Sequence, residues 1–96
     1  METLSVYSGS IIDGLKISEI DFERRKLMLV GVISANPVHR KHKNSYKLKN
    51  QHFYFNPEPY FVLRGDDLLV VLGREVGIDY FRDQIEKSRI KHGRRR

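Results

Sequence analysis

Two short, uninterrupted apolar runs decide what this chain can fold into: 27–33, Leu-Met-Leu-Val-Gly-Val-Ile, and 68–72, Leu-Leu-Val-Val-Leu. Each falls far short of the roughly 20 apolar residues that cross a bilayer. Neither shows the three-and-four spacing of a half-buried helix. A run this short, rich in branched side chains and bounded by turn residues, is expected to form a strand buried on both faces. The expected extents are 26–34 and 67–72. Ala35-Asn36-Pro37 ends the first strand and Gly73 the second. Gly31, inside the first run, marks a bulge or a close backbone approach.

The rest of the chain arranges itself around these two runs. Residues 3–7 alternate and predict a short strand, ended by the turn residues Ser8-Gly9-Ser10. Ser18 is placed to cap a helix of about two turns starting at Glu19. Residues 52–55 and 60–63 are aromatic extended pieces separated by the rigid turn Asn56-Pro57-Glu58-Pro59. Residues 38–51 read as a basic, polar loop or the arm of a long hairpin. From Glu75 onward Ile78, Phe81 and Ile85 recur on one helical face, with Val76 a candidate to extend it, and the helix is expected to end near Ile90. Two helices on a mainly antiparallel sheet of about five strands make an α+β domain. One domain, 1–96, suits 96 residues, and a domain this small is often stabilised by pairing with a second copy. The last six residues, 91–96, are expected to be a disordered basic tail.

Charge narrows the partners. The net charge is +6, concentrated in two places: Arg40, Lys41, Lys43, Lys47 and Lys49, and the tail from Lys87 onward. Localised positive charge attracts nucleic acid, anionic lipid or phosphorylated small ligands. The absence of cysteine removes disulfides, thiolate metal sites and thiol nucleophiles, and it fits a reducing compartment. The start, Met1-Glu2-Thr3-Leu4, lacks the basic-then-apolar order of a secretory signal. A cytoplasmic location is expected.

The run from Asn56-Pro57 through Leu63-Arg64-Gly65-Asp66-Asp67 and 68–72 to Gly73, followed by Ile78-Asp79-Tyr80-Phe81, resembles the C-lobe family of regulators of potassium conductance (RCK, or TrkA-C), in its channel-type form. Residues 10–20 are similar to the family's opening turn and first helix, and 27–33 to its central strand. The resemblance covers roughly residues 3–86. It implies a dimeric lobe with a ligand in the cleft between copies, a cyclic dinucleotide in some members and a divalent cation in others. It further implies attachment to the inner face of the cell membrane through the rest of a potassium channel or uptake system. Ligand binding would reach the pore through an N-terminal nucleotide-binding lobe, which these residues do not contain. Where members that bind cyclic dinucleotides usually carry an arginine after the central strand, this chain has Ser34-Ala35-Asn36. The 38–51 stretch is also longer and more basic than the family's turn.

Read for chemistry, Gly65 is expected to take a positive φ at the start of the second strand, with Asp66 holding that turn through backbone N–H groups. The candidate ligand contacts are Asn36, His39, Arg40, Lys41 and Lys43, which suit a small anionic ligand such as a nucleotide or cyclic dinucleotide. His39, His42 and His52 offer imidazoles, but the surrounding cations oppose a metal ion. Tyr46, Phe53, Tyr54, Phe55, Tyr60 and Phe61 fit a core or a dimer face better than a base-stacking platform. A small basic nucleic-acid-binding domain is the alternative reading, and a pure assembly module a third. Ser8, Ser10, Ser34 and Ser45 have no evident base or orienting acid nearby in sequence, and no enzymatic role is expected.

Overall fold

The computed structural model describes residues 1–37, 39 and 45–93, with side chains as far as Ser88. Five strands form one antiparallel sheet: β1 (Glu2–Ser5), β2 (Leu27–Ser34), β3 (Ser45–Leu48), β4 (Gln51–Phe55) and β5 (Leu68–Gly73), in the order β1-β5-β2-β4-β3. The two apolar runs are thus neighbours at the centre of the sheet, Val32 opposite Leu69. β3 supplies the hairpin-arm reading of the basic stretch, with Tyr46 paired to Phe53.

Among the described residues a single α-helix, α1 (Glu75–Gly93), closes the fold. Its Ile78, Phe81 and Ile85 are each no more than 2% exposed and join Leu4, Val32, Leu69 and Val71 in one core. Val76, by contrast, faces solvent at 73% exposure. The helix passes Ile90 and reaches Gly93, so 91–93 of the expected tail are helical; 94–96 lie outside the described residues.

The second expected helix is absent. Only a 3₁₀ turn, Ile17–Glu19, stands there, and Ile20 returns to extended backbone. The Glu19 carboxylate accepts from the Lys16 N–H at 2.8 Å, so the turn is closed on itself from below and not capped by Ser18. Ile20 must reach the core and Lys26, at φ 62, must reverse the chain into β2 within a few residues, which leaves no length for a helix. The 60–63 piece makes one isolated bridge, Lys16 to Val62, and sends Phe61 and Leu63 into the core.

β2 carries the bulge that Gly31 was expected to mark: its register with β5 shifts between Leu29 and Gly31. A Cβ at Gly31 would lie 2.5 Å from the Phe53 ring and 2.6 Å from the Tyr54 carbonyl oxygen, so glycine is what lets Phe53 lie across the strand. β2 is not buried on both faces, because Met28 is 63% exposed. The core lies on the α1 side of the sheet. The register puts Met28, Ile33, Phe53, Phe55, Tyr46 and Leu72 on the opposite face, and no described helix covers it.

Candidate functional site

Asp67 is the polar centre of the molecule. It sits immediately before β5 and is 1% exposed. Its Oδ1 accepts from Ser34 Oγ at 2.5 Å, at the end of β2. Its Oδ2 lies 3.0 Å from His39 Nε2 and accepts the Arg64 N–H at 3.0 Å. Ser34 Oγ in turn accepts the Asn36 N–H at 3.1 Å, and the Asn36 carbonyl accepts the His39 N–H at 3.1 Å. The His39 ring is stacked on Phe61, centroids 4.2 Å apart, and meets Tyr54 edge-on at 5.9 Å. One carboxylate therefore ties together the ends of β2, the turn before β5 and the start of the basic stretch.

This clasp replaces part of the expected turn chemistry. Gly65 is not at positive φ; Asp66 is, at φ 75, a conformation that Asp tolerates better than most residues. Asp67, not Asp66, accepts the backbone N–H that holds the turn. The two carboxylates point apart, Asp66 to solvent and Asp67 inward.

Ser34, His39 and Asp67 are the residue types of a hydrolytic triad, but not its arrangement. Serine and histidine both bond to the carboxylate, whereas a nucleophile must bond to the imidazole that deprotonates it. All three are at most 2% exposed, which denies a substrate access. They form a structural network. Among the described residues no three His, Asp or Glu side chains converge on a common point.

Next to the clasp the sheet leaves an opening. α1 packs against β1 and β5, so the same face of β4 and β3 is not roofed by the helix. A cavity of about 460 Å³ lies there, lined by Ala35, Asn36, Ser45, Lys47, Lys49, Asn50, His52 and Tyr54. Two lysines line it and no carboxylate does. Throughout 24–57 the chain carries no Asp or Glu.

Of the residues singled out from sequence, Asn36 lines this cavity. His39 is buried and bonded to Asp67, so it anchors the segment instead of facing a ligand. Arg40, Lys41, Lys43 and His42 lie outside the described residues. Lys47, Lys49, Asn50 and His52 were not singled out as a ligand-binding group. The signal that brings them together is the two-residue turn between β3 and β4, which sets 45, 47, 52 and 54 on one side of the hairpin. Comparison with protein-family models and with curated proteins finds no match for this chain.

Proposed function

We propose that this chain is a dimerising regulatory lobe of a potassium channel or potassium uptake system, located in the cytoplasm and responding to a small ligand. The tie to potassium transport is the resemblance carried by 56–73 and 78–81. The observation that carries the pairing is the uncovered sheet face. Tyr46, Phe55 and Met28 are 62%, 48% and 63% exposed, and the register puts them with Leu72 on one face of a single sheet. Exposed apolar side chains gathered on one sheet face suit an interaction site, and a small domain gains core by pairing its sheet with a copy of itself. Such a lobe signals by population shift: a ligand that binds one dimer geometry better than another moves the balance between them.

Two measurements test this reading together. Sedimentation at micromolar to high micromolar concentration is expected to give a dimer. A thermal-shift panel of nucleotides, cyclic dinucleotides and divalent cations is expected to contain at least one compound that raises Tm, since a ligand of the folded form alone must do so. A dimer with a flat panel would make the chain an assembly module without a ligand. A strict monomer at every concentration would sink the proposal.

The nucleic-acid reading draws on the same charge and on exposed Tyr46 and Phe55. Binding to generic single-stranded DNA that collapses between low and moderate salt would favour it.

A further inference from the structure

We propose that the cavity between the β3–β4 hairpin and the 35–36 segment is a binding site for a small phosphate ester. The inference rests on the regulatory-lobe reading for its purpose, but not for its geometry.

The lining is the first argument. Lys47 and Lys49 bring two ammonium groups to one opening, on alternate residues at the end of β3 and its turn. No described ion pair uses either of them. Two lysines and no carboxylate at one opening favour an anion there over a cation, and a bound dianion gains charge-assisted hydrogen bonds. Asn36 and Asn50 add neutral amides to the same lining, and such groups orient a ligand that lysines alone only attract.

His52 is the second argument. Its Nδ1 is shielded from solvent and has no hydrogen-bond partner among the described residues. A buried N–H without a partner costs about 1–3 kcal/mol, which favours the tautomer with its proton on Nε2 over the one with it on Nδ1. In that tautomer the imidazole, which lines the cavity, has an N–H donor that suits an anionic oxygen. The ring is stacked beside Tyr54, centroids 5.9 Å apart, and Tyr54 is buried, so its orientation is set by the core and not by the ligand.

Size is the third. About 460 Å³ matches a small metabolite, since such sites run from about 300 to 1,000 Å³. A polynucleotide calls instead for a groove that tracks its backbone. The clasp matters here too. His39 and Asn36 are held by Asp67 and Ser34, so one wall of the cavity is fixed to the sheet before any ligand arrives.

The test is an amide NMR titration of the whole chain at low ionic strength with ribose 5-phosphate, inorganic phosphate and ribose. Ribose 5-phosphate is expected to give saturable shifts centred on Asn36, Lys47, Lys49, Asn50 and His52. Inorganic phosphate should do so more weakly, and ribose should do nothing. Lys47→Gln and Lys49→Gln, both at exposed positions that leave the fold intact, are each expected to weaken binding about tenfold, the loss of one charge-assisted contact. His52→Gln keeps a donor of similar reach and should retain more affinity than His52→Leu. No saturable shift at millimolar ribose 5-phosphate overturns the site. So do shifts spread equally over the basic tail, or affinity unchanged in both lysine variants. Tight binding of a single-stranded oligonucleotide with none of the sugar phosphate would reassign the charge to nucleic acid. Sedimentation of the same sample reads dimerisation independently, so an empty cavity in a dimer refutes only this inference.

Discussion

Asp67 shows how much one side chain can decide. It is a carboxylate removed from water, and it is tolerated there because each oxygen has a donor: Ser34 on one side, His39 and the Arg64 N–H on the other. Removing one member of such a buried set leaves the others without partners, which costs about 1–3 kcal/mol for each neutral group and more for a charged one. Asp67→Asn keeps one acceptor and is expected to destabilise by about 3 kcal/mol in urea unfolding, within that range of effects for buried charge-assisted bonds. Asp66→Asn is the matched control. Its side chain is exposed and asparagine accepts the same positive φ, so a change within about 0.5 kcal/mol is expected. Equal losses in the two variants would mean that the Asp66 side chain, and not the clasp, holds the turn. The sequence showed two adjacent aspartates and assigned the turn to Asp66, whereas the structure gives it to Asp67. That choice depends on Ser34 and His39, which lie far away in the chain.

Among the elements, α1 was the most legible. Ile78, Phe81 and Ile85 follow the helical period, and all three are buried as the spacing required. The Arg25 guanidinium lies 4.1 Å from the Phe81 ring centroid and donates to Gln84 Oε1 at 2.6 Å, pinning the turn before β2 to the helix. Phe81→Ala should therefore cost about 3–5 kcal/mol, a core cavity plus a lost lid. Tyr80→Ala, at 63% exposure, should change stability by no more than about 0.5 kcal/mol, as surface substitutions usually do. Thermal or urea unfolding separates the two, and comparable losses would show that the helix packs on a different face. The supposed first helix failed for a physical reason visible only in three dimensions. Ser18 and Glu19 have the right chemistry to start a helix, but Ile17, Ile20 and Phe22 all pack against one core, and a short turn followed by extended backbone delivers them better than a helical face does.

At the scale of the whole molecule, one helix on a five-stranded sheet, as the described residues show it, leaves an unbalanced sandwich. One face holds the core. The other is apolar and open, and it lies on the same sheet as the basic hairpin. If a second copy covers that face, Phe55→Glu should convert a dimer to a monomer while moving Tm of the monomer little, because the side chain is already 48% exposed. A stable pairing needs roughly 1,200 Å² or more of total buried surface, and a charge placed within it without a partner is costly. A variant that remains dimeric by sedimentation would place the interface elsewhere, with the outer side of α1 the next surface to test.

What the sequence settled by itself was local: two ribbons of β structure, their breaks, the closing helix and the concentration of cations between 40 and 49. Each of these follows from neighbours in the chain, through side-chain period, backbone-restricted residues or simple counts of charge. What only the tertiary structure decided was pairing at a distance. It placed 27–34 beside 68–73, turned Asp67 toward His39 and Ser34, left one sheet face bare, and set Lys47, Lys49 and His52 around one opening. These depend on strand order and register, and a shift of one residue in register would reverse which side chains face the core.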